Sequence, residues 1–419
     1  MRVPDDPAYT SLLHMVCIVQ QPCGAVLEFI FAIGRKEAIM SKSGLEGVIV
    51  GQSRLSYING DQGELIYGGY EIDDLARNTT FEEVCYMLWN GKLPNSGELE
   101  GLRHELEAAR RVDPRLLEMI RSFPHDADPM AALRTAVSAM GLMDPQANDN
   151  SEPENRRKAI LMTAQMPVLI AAYDRFRAGK DPVEPKAGLD TAANFLYMLN
   201  GEEADEARVR AMDTALVLHA EHGMNASTFA ARVTAGTLAD IYSAVVSAIG
   251  TLKGASHGGA NVEVMRQLRE IMESGTDPKQ YVRDTLAAGK RMMGFGHRVY
   301  KVRDPRADVL ATAAELLYAT DGDEALYGLA LEVERTAVAL LAEHKKPERN
   351  LQTNVEFYTA LLLHGLDLPT ELFTPTFAIG RVAGWTAHCF EQRERGRLIR
   401  PQSEYVGERD RRWVPIEER

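Results

Sequence analysis

Cysteine is scarce in this chain. The four present, Cys17, Cys23, Cys85 and Cys389, are scattered, and no two stand in a CxxC pair. That excludes a disulfide framework and a cysteine-based zinc site, and it fits a reducing, cytoplasmic setting. Excess positive charge is also missing. The net charge is −13, and no basic stretch is long enough to override it, so general nucleic-acid binding is excluded. Long apolar runs are lacking as well. The one candidate, residues 12–33, is interrupted by Gln20, Gln21, Pro22 and Glu28 and makes a poor membrane span. No basic run precedes it and no small-residue cleavage site follows, so it reads poorly as a signal peptide and no membrane association is expected. A Walker phosphate loop, a GxGxxG after a strand, a serine-hydrolase elbow and a Cys–His nucleophile pair are all absent.

What is present is an ordinary globular composition, 45% hydrophobic and 26% charged, over 419 residues. That length suits two or three domains. The β-type pattern is confined to 41–59. Val48-Ile49-Val50 and a second run at Leu55, Tyr57 and Ile58, followed by the turn Asn59–Gly63, read as a small hairpin. From Asp73 onward the apolar spacing is helical. Thr80-Phe81-Glu82-Glu83 has the form of a capping box, and Asp128-Pro129 opens another helix. Residues 144–157 read as a polar loop before a long helix, 158–178, that Pro167 should kink. The alanine-rich segment 227–252 reads as one buried helix. The fold class is all-α, with about fifteen helices and a minor N-terminal β-hairpin.

Three histidine turns and a basic cluster carry the chemistry. In Arg291–Arg306, RMMGFGHRVYKVRDPR, His297 stands on Gly294-Phe295-Gly296 with Arg298, Lys301, Arg303 and Arg306 beside it. The glycines predict close approach of the backbone to a ligand, and the basic residues suit carboxylates or phosphates. His219 and His222, three apart on a helix, resemble a metal pair, but HExxH spacing and further ligands are lacking, so no metal or other cofactor is expected. His257, in Gly254-Ala-Ser-His-Gly-Gly-Ala-Asn261, stands at a helix start, where backbone N–H groups should keep it neutral. It reads equally as a helix cap. Arg381 and Arg400 are single arginines in apolar surroundings.

Together these pieces resemble the citrate synthase family from about Gly44 to Gly407. The resemblance rests on EHGMNAST (221–228), HGGAN (257–261), GFGHRVYKVRDPR (294–306), NVEFYTA (354–360), FTPTFAIGRVAGWTAH (373–388) and RLIRPQSEYVG (397–407). It implies an all-α homodimer with a cleft between a large domain (41–256 and 362–419) and a small one (257–361). The reaction it implies is condensation of acetyl-CoA with oxaloacetate, then hydrolysis of citryl-CoA. By position, the resemblance assigns catalysis to His257, His297 and Glu356, and substrate binding to His222, Arg306, Arg381 and Arg400. Arg298, Lys301 and Arg303 are the candidates for the CoA phosphates.

Glu356 departs from the family's usual aspartate by one methylene, and adjusted geometry with retained activity is expected. A 2-methylcitrate synthase using propionyl-CoA, a citryl-CoA lyase and a non-catalytic helical dimer are the competing readings. The segment 1–40 lies outside the resemblance, and 1–39 reads as an over-extended gene start before Met40.

Overall fold

The computed structural model describes residues 43–45, 47–321, 323–344 and 351–419; the N-terminal segment 1–40 lies outside them. A three-stranded antiparallel sheet comes first: β1 (Ser56–Asn59), β2 (Glu64–Tyr67) and β3 (Tyr70–Glu71), in the order β1-β2-β3. Ser56 faces Tyr67 and Asn59 faces Glu64 across the first pair. The expected strand at Val48–Val50 does not form. Its place is taken by Glu64-Leu65-Ile66-Tyr67, whose alternation buries Leu65 and Tyr67 completely. The three consecutive valine and isoleucine residues offer no such two-faced pattern. The turn at Asn59–Gly63 is as expected, with the Asn59 side chain accepting the N–H groups of Asp61 and Gln62.

Sixteen α-helices follow among the described residues. The first six are α1 (Ile72–Asn78), α2 (Phe81–Asn90), α3 (Ser96–Ala109), α4 (Pro114–Arg121), α5 (Pro129–Met143) and α6 (Glu152–Arg177). The next five are α7 (Thr191–Asn200), α8 (Glu206–His219), α9 (Ala226–Ala235), α10 (Ile241–Leu252) and α11 (Ala260–Ser274). The last five are α12 (Pro278–Ala287), α13 (Pro305–Asp321), α14 (Glu324–His344), α15 (Val355–Gly365) and α16 (Phe373–Arg395). The all-α class is what the spacing indicated. Their starts are set largely by side-chain caps. Thr80 and Glu83 form the capping box of α2, and Asn95 with Glu98 does the same for α3. Asp113, Asp128, Asp190, Asp205, Asp240 and Asp277 each accept a backbone N–H at the head of a helix. Each such cap contributes about 1 kcal/mol.

Two boundaries differ from the sequence reading. The long helix begins at Glu152 rather than 158, with Pro153 in its first turn, and it continues through Pro167. The segment 227–252 is two helices, because Gly236 closes α9, Leu238 takes φ 69° and Asp240 caps α10. Alanine content masked the cap.

Helix α16 organises the interior. It is buried on all sides from Phe373 to Cys389 and packs against α2, α6, α8, α9 and α10. Its glycines permit this: a Cβ on Gly380 would stand 2.8 Å from the Leu216 carbonyl oxygen, and one on Gly384 only 2.2 Å from that of Ala220. Among the described residues no helix is long and apolar enough to cross a membrane. Gly384→Ala should therefore force α16 away from the end of α8 and cost about 1–3 kcal/mol or more. Gly328→Ala in α14, with open space around it, should be neutral or slightly stabilising; urea-denaturation midpoints of the two variants check this.

Candidate active site

The turn after α8 places His222. Glu221 is fully buried, and its Oε1 accepts the Ser56 hydroxyl at 2.9 Å, the Gly223 N–H at 2.5 Å and the His388 ring at 2.9 Å. Tyr67, on β2, donates its hydroxyl to the carbonyls of Leu218 and Glu221. Asn225 then caps α9 through the Thr228 N–H. Pinned this way, the His222 ring lies edge-on to His297, centroids 5.3 Å apart, with Nε2 3.1 Å from the Tyr300 hydroxyl. Both ring nitrogens of His219 are taken up by protein, Nδ1 by the Ala215 carbonyl and Nε2 by Thr359. Among the described residues no group of three or more possible ligands gathers around a metal position.

The histidine turns present opposite tautomers. His257 Nε2 accepts the Ser227 N–H at 3.3 Å, and lies 2.9 Å from the Ser227 hydroxyl, itself an acceptor for the Trp385 indole N–H. In a neutral ring that leaves the proton on Nδ1. His297 Nδ1 accepts the N–H groups of Val299 (3.1 Å) and Tyr300 (3.2 Å), which leaves the proton on Nε2. Both rings are held neutral, pushed down to about 4 chiefly by burial, with Arg381 adding to this at His257. The expectation for His257 was right in sign and wrong in cause. Helix α11 begins at Ala260, three residues on, and burial does the work.

Glu356 is the second residue of α15. Its Oε2 is shut off from solvent with no hydrogen-bond partner, and burial raises its pKa against the opposing pull of Arg306 and Arg381. The segment just before it is zipped to the glycine turn of His297. Gly296 N–H donates to Gln352 O (2.7 Å), Asn354 N–H to Gly294 O (3.0 Å) and the Asn354 amide to Gly296 O (2.9 Å). The turn glycines (φ +85° and +81°) serve this packing: a Cβ on Gly294 would meet Phe357, and one on Gly296 would meet Leu351, each at 2.8 Å. The positions a Cβ would take are thus filled by the protein's own side chains. From α14, Glu334 accepts Arg303 and Thr353 on one oxygen and the Tyr358 hydroxyl on the other, tying the same two segments from outside.

Two guanidinium groups complete the site. Arg306 is buried and held by Asp304 through Nε (3.0 Å) and NH2 (2.7 Å). Arg381 is buried, donates Nε–H to the His219 carbonyl at 2.6 Å and lies over Phe377. No carboxylate among the described residues lies within 4.0 Å of it, and burial lowers its pKa to about 10. Phe377 also neighbours His257, with ring centroids 6.4 Å apart.

His222, His297, Arg306, Arg381 and Glu356 thus share one electrostatic environment, with His257 joined through Phe377. Arg400 is not brought there; it lies exposed on the segment after α16. Of the basic trio, Lys301 pairs with Asp61 and Arg303 with Asp308 and Glu334, while Arg298 is exposed and has no ion pair among the described residues. Tyr300, Asp304, Ser227, Asn354 and Phe377 were not foreseen as site residues. For Asp304 the signal was its place beside arginine in Asp-Pro-Arg, and for Asn354 its place just before a helix.

Four histidines, 219 and 222 buried and 257 and 297 half-buried, are all less basic than the ordinary 6.5. The unfolded chain regains that basicity and takes up protons the folded chain refuses. These groups are neutral in both states above pH 6.5, so their contribution is flat there and turns against folding as pH falls toward 4. Urea midpoints measured from pH 7 down to 4 should decline over that window; a level midpoint contradicts the assignment.

The comparisons with known proteins agree with this geometry. The family model "Citrate synthase, C-terminal domain" matches residues 44–402. A citrate synthase of Haloferax volcanii is 50% identical over 382 residues, covering 90% of this chain and 99% of that one. A 2-methylcitrate synthase of Mycobacterium tuberculosis is 40% identical over 373 residues, 88% of this chain and 91% of that one. The citrate synthase of Thermoplasma acidophilum, solved as a ternary complex with carboxymethyl coenzyme A and oxaloacetate, superposes with a TM-score of 0.83 at 32% identity, covering 90% of this chain and 98% of that one. With the matched segment spanning every histidine turn and both buried arginines, the chain belongs to the citrate synthase family.

Proposed function

We propose that this enzyme condenses acetyl-CoA with oxaloacetate and hydrolyses the resulting citryl-CoA to citrate and CoA, in the cytoplasm. The observation that carries the reading is a buried guanidinium, Arg381, with no carboxylate of its own, near a carboxylate, Glu356, with an unpartnered oxygen. Burying unpaired charge is costly, and a dicarboxylate substrate supplies what Arg381 lacks. Arg306 and His222 would take the rest of oxaloacetate, and the Nε2–H of His297 would donate to its ketone oxygen.

Glu356 then removes a proton from the acetyl methyl while the Nδ1–H of His257 donates to the thioester oxygen, where charge develops. The enol carbon attacks the ketone carbon, and His297 passes its proton to the new alkoxide. Water finally cleaves the thioester. Neutral rings suit both donor roles, since each must hold a proton without adding charge to the resting site. The CoA phosphates fall to Arg298, the member of the basic trio without an ion pair among the described residues, with Lys301 at its exposed rim. The division into a small domain, 257–361, and a large one is the accompanying proposal. It is supported by the way α11 to α15 pack on one another.

A homodimer is part of the same reading. After α16 the chain runs exposed, with Leu398, Tyr405, Val406, Trp413 and Ile416 facing outward, the composition of an arm that packs on another surface. Arg400 lies on it and would serve the site of a second copy.

Free-thiol release with oxaloacetate and either acetyl-CoA or propionyl-CoA tests the reaction. Acetyl-CoA should be turned over faster, and faster turnover of propionyl-CoA would select the methylcitrate reaction instead. Glu356→Gln should lower kcat by about 10²-fold or more while oxaloacetate binding by calorimetry is kept. Light scattering should give twice 46.4 kDa. Co-expressed Glu356→Gln and Arg400→Ala chains should regain activity that neither has alone, because a mixed dimer holds one intact site.

A further inference from the structure

The hairpin turn, Asn59–Gly63, lies against the loop that carries His297. The Lys301 N–H donates to the Gly60 carbonyl at 2.9 Å, and at the exposed rim Lys301 Nζ stands 2.7 Å from Asp61. Gly60 has no room for a side chain: a Cβ there would lie 2.1 Å from the Val299 carbonyl oxygen and 2.6 Å from its carbon. At Gly63 (φ +70°) a Cβ would meet Val302 Cγ2 at 2.9 Å. The turn is therefore seated directly on the 299–302 backbone. That same backbone supplies the two N–H groups accepted by His297 Nδ1.

We propose that the hairpin turn, through Gly60, is a positioning element for His297, seating the Val299–Lys301 backbone so that its N–H groups orient the ring and keep its proton on Nε2. The inference rests on the reading of His297 as donor to the ketone oxygen. A neutral imidazole has one donor and one acceptor nitrogen, so two N–H groups aimed at Nδ1 leave Nε2 as the only donor. The other groups facing the ring are Asp304, which favours its protonation, Arg306, which opposes it, His222 and Tyr300. None of these fixes the tautomer. If Val299 is displaced, the two donors turn away, the obstacle to a proton on Nδ1 goes with them, and the ring becomes more basic.

Gly60→Ala tests this. A kcat lower by about tenfold to a hundredfold is expected for a donor misplaced by about 1 Å. The acid limb of kcat/KM for oxaloacetate should move upward by about half to one pH unit. Hydrogen exchange in the peptide 297–303 should quicken. Asp61→Asn, which removes only the exposed ion pair, should leave kcat within about twofold. A Gly60→Ala enzyme with wild-type kcat and an unmoved acid limb would overturn the inference, as would a fall in stability with the limb unmoved. If the wild type releases no thiol, the reaction reading fails, and the exchange comparison still decides whether the turn holds the loop.

Should Gly60→Ala not fold, Gly63→Ala presses chiefly on the Val302 side chain, with the Arg303 carbonyl oxygen at an ordinary 3.4 Å. It should shift the limb in the same direction and by less, and adding Val302→Ala should reverse the shift, since the backbone strain is common to both. No shift in the single variant counts against the turn.

Discussion

The site depends on a short zip of backbone hydrogen bonds between Gly294–Gly296 and Gln352–Asn354. Through it, two residues far apart in sequence, His297 and Glu356, are fixed to one another by main-chain geometry rather than by their own side chains. Neither side chain is needed to hold the two segments together. The cost falls on the glycines, which accept positive φ so that Phe357 and Leu351 can pack against them. Glu334 reinforces the arrangement from outside by holding Arg303, Thr353 and Tyr358 together.

Burial supplies the second condition. In a solvated cleft the histidines would titrate near neutrality; here desolvation keeps them uncharged and raises the Glu356 carboxyl above its ordinary value. Arg306 is neutralised internally by Asp304, whereas Arg381 is not. The difference divides labour within the pair. One guanidinium is compensated within the fold, and the other is left without an ion-pair partner among the described residues.

Much of this was legible in the sequence, for identifiable reasons. Helix heads at Thr80 and Asp128 could be read because a cap is a local bond between residues three apart. The histidine turns could be read because glycine beside histidine is an uncommon local choice. What stayed hidden was non-local. The strand at Glu64–Tyr67 is defined by which face meets the interior, and the break at Gly236–Asp240 by an aspartate inside an alanine-rich run. The tautomers of His257 and His297 depend on N–H groups whose direction no spacing reports. The pairing of Arg303 with Glu334 depends on a helix that begins only at Glu324.

Helix α16 carries a further consequence. It is the last helix of the chain, yet it fills the space enclosed by α2, α6, α8, α9 and α10. A ribosome making this protein from its amino end therefore exposes an apolar trough that stays open until about residue 395 has emerged. Until then Arg232 lacks Glu391 and Glu221 lacks His388, so the nascent chain holds charges without counterparts as well as uncovered hydrocarbon. Such a chain reaches its finished core in one late step, and its need for chaperones is greatest until α16 has emerged.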